Sequence, residues 1–383
     1  MSSIPPKPQT YQTLDAWRGL ASLWVVMYHM TLVLIVDYPQ LHTVPLYLFS
    51  LRGALGVQMF FVISGYCIAN AACKSLMRGQ GFSPFMQARV RRIYPPCWFA
   101  LAFAATLSAV AAMLVASHHL RSSVMAEHGA MHQSVMYYFA NLTLTQVIFH
   151  QTFLLAQCWT LGYEMAFYLI VGLLIVPALF FKERFPFLPA LHLITCSLLL
   201  LLILVPQRMN YPFDLWPEFG LGILAFDVLT HPNNRGPKVW LAGAGLLFLV
   251  FALTRNYDIG LMGESSRLTF LFCLLFTVVI IGLYKYESRL RQSVPIKLLS
   301  AIGLFSYSLY LTHVFSIGVI NQALKVMHLP ARDHYLIFIL FMALAMGFAR
   351  LFFNFFERPF MGTPRKPITM PLPRASTALA ESK

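Results

Sequence analysis

The chain has 383 residues, of which 58% are hydrophobic and only 11% charged, and its mean hydropathy is +0.66. Soluble domains carry roughly a quarter charged residues, so this composition excludes an ordinary water-soluble enzyme and points to an all-α, polytopic integral membrane bundle. The formal net charge of +14 is read through its distribution between apolar runs, as a topology signal; no nucleic-acid partner is expected.

In chain order, residues 1–13 are polar and Pro-rich and read as a disordered cytoplasmic tail. The first apolar run is long, follows that tail and lacks a small-residue cleavage pattern, so it is expected to stay as the first span rather than be removed as a signal peptide. Ten spans are predicted, at 17–36, 46–71, 94–116, 159–181, 188–206, 212–230, 238–254, 267–284, 298–321 and 335–356. With the N-terminus inside, alternation leaves seven of the 28 Lys and Arg residues outside (Arg52, Arg121, Arg208, Arg255, Arg267, Lys325 and Arg332). That bias predicts both termini in the cytoplasm. One membrane domain is expected over 14–361, followed by a disordered tail over 362–383.

The longest connection, about 117–158, falls outside. Its second half is apolar and aromatic yet broken by polar residues, which predicts a segment lying on or dipping into the outer interface. The sequon at Asn141 carries no assignment without the source of the chain. Six cysteines with no paired spacing read as small buried hydrophobes.

Ionisable groups inside spans are costly and therefore mark functional sites. The run LDAWRGLASLWVVMYHM at 14–30 carries Arg18 at its start and His29 within. Eleven residues at ~100° each return to the same helix face, ~16 Å further along the axis. His29 suits reversible proton transfer; its structural reading is a hydrogen bond between helices. Arg18 reads as a positive-inside anchor or as half of an anion site. Arg89, Arg91 and Arg92, just before the third span, read in the same two ways, because arginine offers bidentate donors to phosphate.

Glu164, a few residues inside the outer end of the fourth span, needs a partner or a wet cavity. It is expected to hold the acceptor or a histidine. His313, in a hydroxyl-rich run with Tyr310, is a second polar contact or helix glue. Ser64 and Gly65 read as close packing, and Trp216 and Glu218 as outer-interface anchors with a weaker case for sugar contact. The outer-loop histidines His118, His119, His128 and His132 lack neighbouring ligands at zinc spacing, so no metal is expected.

Taken together, LDAWRGLASLWVVMYH, GVQMFFVISGY, ARVRRIYPP, CWTLGYEMAFYL, FSYSLYLTH and FERPF occur in an order that resembles the membrane acyltransferase-3 family, which includes O-antigen and exopolysaccharide O-acetyltransferases. The resemblance covers about residues 12–360, and the chain looks like the stand-alone type that lacks a C-terminal SGNH hydrolase-like domain. It implies transfer of an acyl group, commonly acetyl from acetyl-CoA, to a hydroxyl of a sugar or glycan, in a bacterial cytoplasmic (inner) membrane. It also implies that Arg18 and His29 are essential and that Arg89 and Arg92 lie near the donor.

The expected mechanism has Arg18, Arg89 and Arg92 holding the phosphates of acyl-CoA and His29 acting as general base. Glu164, His313 and Tyr310 contact the acceptor. An acyl-histidine relay is the variant, and a transporter or flippase of a glycolipid is the rival reading. A non-catalytic receptor ranks last, because it leaves Arg18, His29 and Glu164 unexplained. The sequence is silent on oligomeric state.

Overall fold

The computed structural model describes residues 11–116, 133–205, 209–254, 258–259, 264–327 and 334–361. The expected outer-loop histidines, residues 1–10 and the C-terminal tail lie outside these residues. Tyr11–Thr13, expected in the disordered N-terminal tail, instead pack on the bundle, where the buried Tyr11 hydroxyl donates to Ile280 O at 2.8 Å. The described chain is an all-α membrane bundle; its only β-strands are a two-residue antiparallel pair, Asp258–Ile259 with Glu264–Ser265. The helices are α1 (Leu14–Asp37), α2 (Pro45–Ser50), α3 (Leu55–Met77), α4 (Phe82–Ala116), α5 (Val135–Thr143), α6 (Trp159–Phe181) and α7 (Phe187–Leu204). They continue with α8 (Trp216–Thr230), α9 (Arg235–Thr254), α10 (Ser266–Tyr284), α11 (Glu287–Leu290), α12 (Val294–Gly303), α13 (Ser306–Met327) and α14 (His334–Phe352).

Among the described residues, eight helices are long and apolar enough to cross a membrane, or nine if α12 and α13 form one span bent by 74°. The sequence predicts ten. The difference is the run at 212–230, which forms α8, a helix of 15 residues. At 1.5 Å per residue α8 is about 22 Å long, short of the ~30 Å hydrocarbon core. The twenty-residue rule applies to helices that face lipid. Every residue from Trp216 to Leu229 is buried, with α3, α7, α9 and α10 packed around the helix.

The contact between α3 and α8 is made backbone to backbone. A Cβ on Gly65 would lie 1.9 Å from Phe219 O, and one on Gly222 would lie 1.9 Å from Val62 O. Lipid tails are as apolar as leucine, so close van der Waals approach through small residues is what draws membrane helices together. Trp216 and Glu218, expected at the outer interface, are instead 1% and 0% exposed within this packing. The Trp216 indole donates to Thr195 Oγ1 of α7 at 3.2 Å.

The segment from Ser134 to Cys158 dips well into the bundle. Tyr94 and Trp98 of α4 donate to Thr143 O and Leu142 O, each at 2.9 Å, and the sulfurs of Cys97 and Cys158 lie 4.0 Å apart. Asn141 organises this turn. Its amide donates to Tyr137 O and Thr152 O and accepts from Gln146 Nε2 and Leu154 N. The sequon asparagine is therefore a buried structural residue.

Because Cys158 sits beside Cys97, α6 begins about 15 residues into α4. Gly172, further along α6, packs on Phe82, Phe85 and Met86 at the start of α4. The two helices run antiparallel in a fixed register, and α6 starts midway down the bundle.

A Gly222→Ala substitution places a methyl group on a backbone oxygen that no rotamer change can move. It is expected to cost about 1–3 kcal/mol of stability, read as a lowered unfolding temperature of the purified protein in detergent.

Candidate active site

α1, α3, α4, α6 and α13 enclose a cavity of about 350 Å³. Each contributes polar side chains: Arg18; Ser64 and Cys67; Arg89 and Arg92; Thr160, Glu164 and Tyr168; Ser306, Tyr307 and Tyr310. Three guanidinium groups meet one carboxylate there. The rest of the wall is apolar, with Phe60, Phe61 and Leu161 among its members. An anion entering this space meets a positive field with little water to screen it.

The arginines are held by short local contacts. Arg18 donates from Nη1 to Asp15 Oδ1 at 3.3 Å and from Nη2 to Cys67 Sγ at 3.4 Å. Arg89 donates to Phe85 O at 2.9 Å, one turn back, with its guanidinium 4.1 Å from the centre of the Phe85 ring. Pro95 and Pro96 sit inside α4. A proline has no N–H, so they leave the carbonyls of Arg91 and Arg92 without their usual helical donors.

Glu164 ends a short hydroxyl chain. Tyr168 OH donates to Glu164 Oε2 at 3.2 Å, and Ser64 Oγ lies 2.8 Å from Tyr168 OH. The Tyr168 hydroxyl has a single proton, so if it is given to the carboxylate, Ser64 is the donor in the second bond. Ser64 is thus a cavity residue, while its neighbour Gly65 does the packing. Sequence reasoning placed Glu164 near the outer end of its span, away from the cytoplasmic arginines. The register of α6 on α4 brings it to the arginines instead, because α6 starts at mid-depth.

Arg18, Arg89, Arg92, Glu164 and Tyr310 therefore share one cavity. His29 and His313 do not line it. They pair with each other, with ring centroids 4.9 Å apart. Tyr310 stands between: its hydroxyl faces the cavity wall, bonded to Thr160 Oγ1 and Gln157 O at 2.9 Å each, and its ring lies 6.0 Å from His313. Continuous helix from Leu14 to Asp37 keeps Arg18 and His29 on one rod.

Two residues escaped the sequence. Tyr168 follows Glu164 by four positions, a helical spacing that places the two side chains together. Glu357, in the FERPF run, is buried and accepts from Ser308 N at 3.1 Å and Ser308 Oγ at 2.5 Å. It caps the first turn of α13 from outside the helix, where α13 enters the cavity wall. Arg18 and Arg92 act electrostatically on both Glu164 and Glu357. Among the described residues no group of three or more His, Cys, Asp or Glu has the arrangement of a metal site.

Glu357→Ala strips a buried N–H of its acceptor and is expected to destabilise the protein by about 1–3 kcal/mol. Glu357→Gln keeps an oxygen in place and loses less. Thermal unfolding of the two variants side by side measures the difference.

The family model described as "Acyltransferase domain", that of acyltransferase-3, matches residues 11–353. Among curated proteins, the chain is similar to the O-acetyltransferase OatA of Staphylococcus aureus strains NCTC 8325, COL and MRSA252, at 24% identity over 380 residues. The alignment covers 92% of this chain and 57% of each relative, so the chain spans little more than half the length of the relatives it matches. No solved structure matches it. The match over nearly the whole described bundle, on the helices that build the cavity, shows that the chain belongs to the acyltransferase-3 family.

Proposed function

We propose that the protein is a membrane O-acyltransferase that moves an acyl group, acetyl in the simplest case, from acyl-CoA to a hydroxyl of a glycan. The observation that carries this reading is the convergence of Arg18, Arg89 and Arg92 on one cavity, with Arg18 on the same helix as His29 and the other two on α4. Three guanidinium groups suit the phosphates of a nucleotide-bearing thioester, which arginine binds in bidentate fashion. The similarity to O-acetyltransferases agrees with a hydroxylated acceptor.

In this mechanism the donor enters from the cytoplasm, with the N- and C-termini on that side, and its phosphates rest on the arginines. The long arm of the donor carries the thioester along α1 toward His29. His29 Nδ1 lies 2.9 Å from Val25 O, and a carbonyl only accepts, so Nδ1 bears the proton and Nε2 presents the basic lone pair. His29 Nε2 takes the hydroxyl proton as the oxygen attacks the thioester carbon. The carbon–sulfur bond breaks, and the proton passes to the departing CoA sulfur. Glu164, oriented by Tyr168 and Ser64, balances the arginines and fixes their positions around the bound donor. Tyr310 forms the wall between the donor cavity and the histidines. The setting is a bacterial cytoplasmic membrane.

His29→Ala is expected to lower acyl transfer about 10²–10⁴-fold, the usual worth of a general base, with acyl-CoA binding unchanged. Near-normal transfer by a correctly inserted variant contradicts the role. Arg89→Ala is expected to weaken acyl-CoA binding, and the remaining affinity should depend less on salt than that of the wild type. Equal affinity and equal salt dependence would reduce the arginine cluster to a topology signal.

A further inference from the structure

His29 and His313 reach the same point from α1 and α13. Both Nδ1 atoms are taken up by the backbone. That of His29 lies 2.9 Å from Val25 O, and that of His313 lies 2.7 Å from Tyr310 O and 3.2 Å from Leu309 O. Carbonyl oxygens only accept, so each neutral ring carries its proton at Nδ1 and a lone pair at Nε2. Two lone pairs cannot bond to each other.

The His313 ring is completely buried, and its Nε2 has no hydrogen-bond partner among the described residues. An unpaired acceptor at membrane depth is costly. A histidine serving only to join helices would spend this nitrogen on a neighbouring donor. The ring beside it is His29, and His29 offers a donor at Nε2 in one state only, after it has taken a proton.

We propose that His313 is a positioning residue for the transfer reaction, whose Nε2 accepts a hydrogen bond from the imidazolium that His29 becomes. This rests on the reading of His29 as general base. The acceptor's O–H bond breaks as its oxygen bonds the acyl carbon, and the proton moves to His29 Nε2. The thioester C–S bond breaks, and its electron pair leaves on the CoA sulfur. While the new ester separates, the His29 proton is held against His313 Nε2; it then passes to the sulfur, which departs as the thiol. Atoms and charge balance with no further reactant. The pair lies outside the arginine cavity, so His313 acts on the rate of transfer and not on donor binding.

The test uses the full chain in detergent with acetyl-CoA labelled in its acetyl group, and membranes of the producing strain as the source of acceptor. His313→Leu removes the lone pair at similar volume. It is expected to lower kcat about 100-fold with the KM for acetyl-CoA unchanged. His313→Gln offers an oxygen near the position of Nε2 and should stay within about tenfold of the wild type. The double variant His29→Ala/His313→Leu should be no slower than His29→Ala alone, because both residues handle one proton.

A His313→Leu variant at the wild-type rate, or a double variant in which the two losses multiply, overturns the role of His313 and leaves His29 standing. A His29→Ala variant that transfers normally overturns the general-base reading itself. If His313→Leu does not accumulate in the membrane, His313→Gln decides. Retention of activity at unchanged KM supports the proposal, and a loss as deep as that of His29→Ala overturns it.

Discussion

The site depends on a contact that contains no chemistry, the seating of α3 directly on the backbone of α8 through Gly65 and Gly222. Membrane helices have no hydrophobic drive toward one another, so close approach of this kind is what fixes their relative height and rotation. With α3 held from behind by a helix buried on all sides, its other face presents Ser64 and Cys67 to the cavity. Ser64 then meets Tyr168, Tyr168 meets Glu164, and Cys67 meets Arg18. The polar chemistry of three helices is thus indexed to one apolar contact.

A second constraint sets the depth of the site. Asn141 gathers the segment after residue 133 into a compact turn, and Tyr94 and Trp98 hold that turn against α4. The next helix, α6, therefore starts inside the bundle. A carboxylate near the start of a helix would ordinarily sit at the membrane surface. Here it lines one cavity with guanidinium groups from the start of α1 and from α4, and the nearby charges of Arg18 and Arg92 offset part of the cost of burying it.

These two constraints also explain what was legible in the sequence. Arg18 and His29 were assigned to one helix face by the period of the helix alone, and the arginine run before the third span was plain from its composition. The depth of Glu164 was not, because counting residues from a loop assumes that every helix begins at the membrane surface. The contacts that break this assumption join residues 44 to 61 positions apart. Glu357 was hidden for the same reason: its partner is the first turn of a helix 49 residues earlier. The partition of the site escaped too. Tyr310 and His313 share one run, yet the first lines the arginine cavity and the second faces His29.

The structure separates a cavity lined by three arginines from a pair of imidazoles, with Tyr310 between them; in the proposed mechanism the first holds the donor's phosphates and the second handles the proton. The rival reading, a transporter, uses the charge but needs no general base. Release of free thiol decides between them. Purified protein supplied with acetyl-CoA and acceptor membranes is predicted to release CoA in step with the appearance of acetyl ester on the glycan. Binding or movement of the glycan with the thioester left intact would contradict the account.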